Sequence, residues 1–273
     1  MVINHPFCFI AKISSSKSRF HLSIDDLIGC QLIEKIMCPD ITVREIKPID
    51  IEGGYLLDGF PYAGLASAIA TESMISTLQF EMVGVLDSDL FPPLSIIKDG
   101  LPNFPTRIFV NNNLKVAIFS SYLTPHESLH RQVAKTMLEW ANKHKCAYIV
   151  SSSSIRSDEQ DSFIVGVGST KEAKKKLADA DIPLLSNGTI PGIPGILLNE
   201  GSLSNINVIV LLSNSKERGP DFKAGAQICM AMSKIVPGTA CDLKSILQEA
   251  EVVEQSIKKT EEDAEPLKDA MYG

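Results

Sequence analysis

The chain has 273 residues, a formal net charge of −7 and a sequence pI near 5.3. A hydrophobic content of 44% and a charged content of 22% are ordinary for a globular protein with a sizeable core. The acidic balance disfavours nucleic acids and anionic membranes as general partners, because both require a basic face. No apolar run approaches the roughly 20 residues of a spanning helix. The N-terminus has no basic segment typical of a secretion signal, so we expect a cytoplasmic protein.

The first elements predict a β-α-β unit. Residues 1–36 form an extension of uncertain status, and the regular pattern begins at Met37. Residues 41–46 read as a strand, and residues 53–61 as a short apolar strand that ends in a turn. Residues 62–79 have the alanine content and 3.6-residue rhythm of a helix, and residues 81–86 form the next strand. Such a unit predicts a parallel pair of strands with a right-handed crossover.

The middle of the chain predicts an edge hairpin followed by further alternation. The proline-rich residues 87–113 indicate an antiparallel excursion. Buried strands then alternate with amphipathic helices, and the short apolar run at 182–185 continues this alternation after the helix at 170–181. The strands are 114–121, 146–155, 163–169 and 207–215, and the helices are 126–145, 170–181 and 221–235. This alternation predicts an open, mostly parallel α/β sheet covered by helices on both faces.

A last helix begins near Asp242, a plausible N-cap, with an apolar stripe on one face. The stripe packs either on its own domain, which is the commoner arrangement, or on a partner helix. Beyond Lys259, dense charge and Pro266 predict a solvated tail. The sequence thus divides into an extension (1–36), an α/β domain (37–240), a helix (241–262) and a flexible tail (263–273).

Six cysteines offer no pattern for metal or disulfide chemistry. They lie at positions 8, 30, 38, 146, 229 and 241, with no Cys-x-x-Cys motif and no paired histidines. Buried or free thiols are therefore expected, as in a reducing compartment.

Two glycine-rich segments are candidate phosphate loops. The turn from Gly59 to Gly64 lies at a strand-to-helix corner but lacks the G-x-G-x-x-G pattern, so a tight turn with positive φ is favoured. Residues 188–195 could aim backbone amides at an anion. Two prolines and the absence of a following Lys-Ser or Lys-Thr favour a structural turn there.

Three sets of side chains are weaker candidates for catalysis or metal binding. Asp87, Asp89 and Asp99 fall near expected sheet ends, where carboxylates bind metals but also cap turns. The stretch from His126 to His130 matches H-E-x-x-H, yet no suitable third ligand is present, which disfavours a zinc protease. A further pair, Ser120 and Ser121, lacks the G-x-S-x-G elbow of serine hydrolases. No cofactor or metal is therefore expected.

Four short segments carry a resemblance to a known family. They are Asp58-Gly59-Phe60-Pro61, the stretch Asp87-Ser88-Asp89-Leu90-Phe91-Pro92-Pro93, the stretch Gly192-Ile193-Pro194-Gly195-Ile196-Leu197-Leu198, and Pro220-Asp221. In order and spacing they resemble the proteasome assembly chaperone family of the second type, in its prokaryotic and archaeal branch. The resemblance covers about Met37 to Ile235.

The resemblance implies a three-layer α/β sandwich like that of nucleoside phosphorylases, without established catalytic residues and forming homo-oligomers. It further implies binding to the α-ring of the proteasome core particle, in assembly or in gate opening. Docking of this kind uses a C-terminal hydrophobic-tyrosine-any-residue motif. Met271, Tyr272 and Gly273 match that motif.

Two functions from different classes therefore remain open. The first is a non-enzymatic assembly chaperone or core-particle activator that docks through Met271-Tyr272-Gly273. The second is an enzyme or binding protein for a nucleotide or phosphorylated small molecule, of ATP-grasp-like or phosphorylase-like type, which would use the loop from Gly188 to Gly195.

Overall fold

The structure is a computed structural model that describes residues 41–155, 163–214 and 220–242, with residues 246, 255, 258 and 259. The chain divides into residues 1–39 and residues 40–273, and the described residues all lie in the second unit. The strands are β1 (Thr42–Glu45), β2 (Tyr55–Gly59), β3 (Glu81–Asp87), β4 (Ile96–Lys98), β5 (Leu101–Asn103), β6 (Thr106–Asn111), β7 (Val116–Ser121), β8 (Tyr148–Ile155), β9 (Ile164–Gly168) and β10 (Val208–Asn214). The α-helices are α1 (Ala66–Thr77), α2 (His130–Lys143), α3 (Lys171–Asp179), α4 (Gly192–Ser204) and α5 (Phe222–Ile235), and short 3-10 turns at Ala63–Leu65 and Glu127–Leu129 precede α1 and α2.

Eight strands form one sheet in the order β1-β3-β6-β7-β2-β8-β10-β9. The four central strands, β7, β2, β8 and β10, are parallel to one another. Antiparallel pairs complete both edges of the sheet. The strand β6 is antiparallel to both β3 and β7, so β3 runs in the same direction as the four central strands. Five of the eight strands therefore point the same way, which confirms the predicted mostly parallel sheet.

Helices cover both faces of the sheet because neighbouring residues of the central strands bury apolar side chains on opposite sides. Leu56 of β2 belongs to a core cluster with residues of α2 and α4. Leu57 belongs to a second cluster with residues of α1, α3 and α5. The predicted three-layer α/β arrangement is confirmed, whereas the likeness to nucleoside phosphorylases stays a prediction.

The predicted parallel pair within residues 53–86 is wrong. The strands β2 and β3 run in the same direction, but β6 and β7 lie between them. Every residue of β7 is buried, whereas Glu81 at the start of β3 is exposed. The more apolar strand therefore takes the central place beside β2, and β3 moves towards the edge.

Two further local predictions also need correction. The apolar run at 182–185 is not a strand, since only an isolated bridge joins Gly166 to Leu184, and Pro183 has no amide to donate. The glycine-rich segment 188–195 is a loop only in part, because α4 already begins at Gly192.

The antiparallel excursion predicted for residues 87–113 contains a hairpin of β4 and β5, but this hairpin is a separate two-stranded sheet and not an edge of the main sheet. The letters RIFV of this segment belong to β6, which lies inside the main sheet. The turn of the hairpin is Asp99-Gly100, and both residues have positive φ, 53° and 74°. Such a pair suits the two-residue turns that match the twist of a hairpin.

The expectation of free thiols is wrong at two positions. Cys229 of α5 and Cys241 form a disulfide, with Cα atoms 5.9 Å apart. The chain turns after α5 at Gly238, which has a φ of 78°, and thereby returns beside the helix. A separation of 12 residues does not reveal such a return in the sequence. Among the described residues, Cys146 is a free thiol.

The described part of the C-terminal region agrees with a helix that packs on its own domain. The Ile246 amide donates to the Asp242 carbonyl at 3.0 Å, and Ile246 is buried in the core cluster of α5. Most of the predicted stripe, the tail 263–273 and the extension 1–36 lie outside the described residues, so the domain boundaries stay predictions. No described helix combines the length and hydropathy that crossing a membrane requires.

Candidate functional site at the carboxyl edge of the sheet

The four segments that carried the resemblance lie at one edge of the sheet. Residues 58–61 end β2 and residues 87–93 follow β3, and these strands point the same way. The segments at 192–198 and 220–221 begin α4 or precede α5, the two helices that flank β10 in the chain. We call this side the carboxyl edge, and it is where ligands of open α/β sheets usually bind.

A hydrogen bond and a shared hydrophobic cluster connect these segments. The Asp221 amide donates to the Gly64 carbonyl at 2.9 Å, so the start of α5 is fixed to the turn after β2. Phe60, Phe91 and Ile193 come from three different segments and belong to one buried cluster. The sequence motifs therefore form a single packed region.

Asp58 is the polar centre of this region. Its side chain is fully buried and accepts three hydrogen bonds. The Phe60 amide donates to Oδ1 at 3.1 Å, and the hydroxyls of Tyr62 and Ser151 donate to Oδ2 at 2.6 Å each. The Ser67 hydroxyl donates to the Asp58 backbone carbonyl. Asp58 thus connects β2, β8, the turn and the start of α1.

Burial dominates the electrostatics of this network. It raises the pKa of Asp58 above its usual value, against the opposing effect of the three hydrogen bonds. Burial of the Tyr62 hydroxyl, together with the neighbouring Asp58 carboxylate, also raises the pKa of Tyr62 well above its usual value. The Tyr62 side chain is partly exposed, but its hydroxyl points at the buried carboxylate. Because all three donors are matched to Asp58, the network fixes the turn.

Gly59 is required by close packing rather than by a positive φ. A Cβ atom there would lie 2.5 Å from Thr71 Oγ1 and 2.8 Å from the Phe119 carbonyl. The helix α1 therefore approaches the end of β2 more closely than a side chain allows. The positive φ expected of this turn falls instead at Gly64 and Leu65, at 76° and 55°. Pro61 is buried beside them.

The segment after β3 lines an open crevice of about 590 Å³. Its wall includes Asp89, Phe91 and Pro92 from this segment and Phe104 after the hairpin. Phe91 points into the core, whereas Asp89 is exposed. Arg44 contacts two residues of this wall, since its guanidinium pairs with Asp87 at 2.7 Å and lies 5.1 Å from the centre of the Phe104 ring.

Packing at Gly195 and backbone conformation at Gly192 account for the glycines of the later segment. A Cβ atom at Gly195 would lie 2.0 Å from the Ile190 carbonyl, so the loop before α4 needs a glycine there. Gly192 begins the helix with a φ of 72°. These two glycines therefore have a structural explanation that involves no bound phosphate.

The H-E-x-x-H match does not form a metal site in the described part of the chain. His126 Nδ1 accepts from the Ser128 amide and caps the short 3-10 turn. His130 Nε2 lies 3.0 Å from the Pro125 carbonyl. Within the described residues, no group of three or more His, Cys, Asp or Glu side chains is arranged to hold a metal.

Sequence reasoning missed a second buried polar cluster, centred on Glu72 of α1. Its carboxylate accepts from the hydroxyls of Ser120 and Tyr122 at 3.3 and 3.1 Å. Arg107 Nη2 lies 3.9 Å away, and its guanidinium stacks on the Tyr122 ring at 4.5 Å. Burial, followed by the charge of Glu72, raises the pKa of Tyr122 to about 12. The sequence did contain one indication of this cluster, because Arg107 begins the otherwise apolar run RIFV of β6 and a buried arginine needs a partner.

The hydroxyls that suggested a hydrolase have structural roles. The Ser120 hydroxyl is bound to Glu72, and the Ser121 hydroxyl donates to the Leu123 carbonyl at 2.8 Å. The expected docking residues Met271, Tyr272 and Gly273 lie outside the described residues.

The fold and this edge define an α/β protein in which the sequence motifs pack together and their glycines have structural roles. Comparison with known proteins identifies its family: the profile described as the PAC2 family matches residues 56–261, which is more than half of the chain. The chain therefore belongs to the PAC2 family. A relative from Methanocaldococcus jannaschii, MJ0106, is 24% identical over 228 residues, which cover 83% of this chain and 93% of that protein.

Solved structures agree with this family. PbaA of Pyrococcus furiosus, described as an archaeal homologue of proteasome-assembly chaperone, has a TM-score of 0.71 and 26% identity, covering 83% of this chain and 100% of that one. The archaeal proteasome activator PbaB, from the same organism, has a TM-score of 0.64 and 21% identity, covering 81% and 99%, and this second likeness concerns the fold. The role stated for PbaA is not catalysis of a reaction, in agreement with the expectation that this chain is not an enzyme.

Proposed function

We propose that this chain is a non-enzymatic proteasome assembly chaperone or core-particle activator that binds the α-ring of the proteasome. The observation that carries the proposal is the match of residues 56–261 to the PAC2 family, together with the similarity to PbaA. The described region supports it in one further respect. The buried carboxylate of Asp58 is held by three of the protein's own donors, which gives it a structural role in the turn.

Docking is assigned to Met271, Tyr272 and Gly273. In this proposal a basic group in a pocket between α-subunits pairs with the carboxylate of Gly273. Met271 fills an apolar recess, and the Tyr272 ring packs with its hydroxyl able to hydrogen-bond. Small Gly273 lets the carboxylate enter deeply.

Several tails acting together strengthen such a contact. A single tripeptide binds weakly, but a homo-oligomer presents several tails to a ring and gains affinity through effective concentration. A flexible tail of ten residues spans roughly 15–20 Å on average, which suffices to reach a pocket below the body. The proposal therefore includes self-association of this chain.

The test is binding of the full chain to immobilised proteasome core particles. Deletion of residues 271–273 and Tyr272→Ala are expected to abolish binding while the circular dichroism spectrum and unfolding midpoint stay unchanged. The matched control is Leu203→Ser, since Leu203 is 83% exposed at the end of α4 and a polar side chain is tolerated there. This variant should bind like the wild type. Undiminished binding of the deletion variant would contradict the assignment of docking to the tail.

A second measurement separates activation from assembly. An activator raises the rate at which mature core particles hydrolyse a fluorogenic peptide, in proportion to occupancy. An assembly chaperone instead raises the yield of α-rings from purified subunits and leaves mature particles unchanged. Light scattering of the free chain reports its oligomeric state in the same preparations. Failure in the binding, hydrolysis and ring-assembly assays together would remove the proteasome as the partner.

A further inference from the structure

The disulfide between Cys229 and Cys241 lies at the start of the C-terminal segment. Cys229 is fully buried in α5, and Cys241 is partly buried after the turn that follows the helix. The Ser233 hydroxyl lies 3.3 Å from the Cys241 sulfur. Everything beyond residue 242, including the proposed docking tail, continues from this point of the chain. We call residues 236–242 the root of that segment.

Other contacts also hold the root: the Val236 amide donates to the Met232 carbonyl at 2.8 Å, and Gly238 lies against Leu114. Val236 is buried in the same cluster as Cys229, and the Thr239 hydroxyl donates to the Val236 carbonyl at 2.8 Å. Ile246, four residues beyond the root, is buried in that cluster too. The disulfide is the covalent link among these contacts, and it closes the chain over 12 residues.

We propose that Cys229–Cys241 is a thiol–disulfide exchange site that controls how firmly the root is attached to the body. Its co-reactant is a dithiol, either a small molecule or a reduced dithiol protein. In the oxidised chain the root is fixed beside α5, and in the reduced chain it detaches more readily. The consequence for docking rests on the proposed function, whereas the exchange and the release of the root do not.

The exchange balances as two substitutions. Cys241 is the more exposed of the two residues, so a thiolate of the dithiol attacks its sulfur, forms a mixed disulfide and expels the Cys229 thiolate, which takes up a proton. The second thiol, as its thiolate, then attacks the sulfur of the dithiol in that mixed disulfide and releases Cys241, which is protonated in turn. The dithiol is oxidised to its disulfide, and the two cysteines are reduced. Reaction with an oxidised dithiol reverses both steps.

Cys146 provides an internal comparison. Burial raises its pKa to about 12, so it is almost entirely in the unreactive thiol form at neutral pH. Its slow labelling in the native chain gives the rate expected of a buried cysteine that takes no part in exchange.

The bond itself is tested by differential alkylation of the full chain. Cells are lysed in iodoacetamide, and the protein is then reduced and treated with N-ethylmaleimide. Trypsin cleaves after Lys223, Lys234 and Lys244, so the two cysteines fall on separate peptides, 224–234 and 235–244. We expect N-ethylmaleimide on both peptides after reduction and a linked pair of peptides before it. Iodoacetamide on both cysteines at lysis would overturn the proposal.

Release of the root is tested by hydrogen exchange. Amides of residues 235–244 are expected to exchange at least about tenfold faster after incubation with dithiothreitol, because the link that limits local opening is lost. Cys241→Ser should show the fast rate with and without dithiothreitol. Amides of β10 are the control and should not change. Equal rates for the root in both states would overturn control by the disulfide.

The final arm measures binding to core particles in oxidised and reduced states. A fixed root confines the tail to a smaller volume, so we expect the reduced chain and Cys241→Ser to bind about two- to fivefold more weakly. Deletion of residues 271–273 removes binding in both states if the tail docks. If binding depends on the tail but is equally strong in the oxidised and reduced states, only the proposed effect of the disulfide on docking is overturned. Binding that survives the deletion would overturn the proposed docking through the tail and leave the exchange site intact.

Discussion

Replacing Asp58 with alanine removes the carboxylate that accepts three hydrogen bonds at the end of β2. The Phe60 amide and the hydroxyls of Tyr62 and Ser151 then lose their partner. Each buried donor left unpaired costs about 1–3 kcal/mol. Relief from burying a charge returns part of that sum. We expect the free energy of unfolding to fall by about 3 kcal/mol.

The assay is urea unfolding at pH 7, followed by tryptophan fluorescence. The chain has a single tryptophan, Trp140, and it is buried against Phe119, so unfolding changes its emission. Tyr62→Phe is the matched control, because it removes one donor and keeps the carboxylate. It should cost about 1 kcal/mol, the usual net value of one hydrogen bond.

The pH dependence of Asp58 has a definite sign. Because burial raises its pKa above 3.8, the folded chain binds this proton more tightly than the unfolded chain does. The contribution of Asp58 to stability is therefore largest at low pH, falls as the pH rises from 3.8 through the folded pKa, and is constant above it. The difference between wild type and Asp58→Ala should be larger at pH 4 than at pH 7.

Two results would refute this reasoning. If Asp58→Ala unfolds within about 0.5 kcal/mol of the wild type, as ordinary surface substitutions do, the carboxylate does not hold these donors. If the difference is larger at pH 7 than at pH 4, burial does not dominate the pKa of Asp58.

Three further perturbations have expected outcomes. Burial favours a raised pKa for Glu45, but hydrogen bonds from Lys143 and His144 outweigh burial and lower the pKa. The stability that Glu45 provides is therefore present above pH 4.5 and is lost as the pH falls through the folded pKa. Glu45→Ala should cost about 1–2 kcal/mol at pH 7 in urea unfolding and less in acid. Gly59→Ala should cost at least about 2 kcal/mol, because its Cβ would meet Thr71 Oγ1, and a thermal midpoint equal to wild type would contradict that packing. Cys241→Ser should lower stability by about 3 kcal/mol, from the closure entropy of a loop of this length, and an equal loss on adding dithiothreitol to the wild type is the check.

Much of the fold follows from periodicity. The central strands carry continuous apolar runs, since both faces of the sheet are covered, and the helices between them have clear amphipathic rhythm. Strand order does not follow in the same way. The chain from β3 to β7 makes two antiparallel pairings, β3 with β6 and β6 with β7. The sequence of residues 81–86 does not indicate that β7, rather than β3, pairs with β2. Competition between strands for the centre of the sheet is a property of the whole chain.

The site was predictable as a set of segments but not as an arrangement. Residues 58–61 and 87–93 stood out as motifs, yet their joining through the buried cluster of Phe60 and Phe91 depends on the direction of both strands. The pairing of Glu72 with Arg107 was missed because the two residues lie 35 positions apart, on a helix and a strand with no shared pattern. The disulfide was missed for a similar reason, since a turn brings its two cysteines together.

The burial of the motif residues separates what identifies the family from what contacts a partner. Phe60, Phe91 and Ile193 point into the core, and the oxygens of Asp58 are already occupied, so these groups are not available to another protein in the folded state. They stabilise the carboxyl edge, and substitutions there act on binding through loss of the fold. A partner must instead meet exposed groups, such as Asp89 at the crevice, or the proposed docking residues at 271–273. Variants of the two kinds should therefore separate in experiment: loss of stability at the edge, and loss of binding with unchanged stability at the tail.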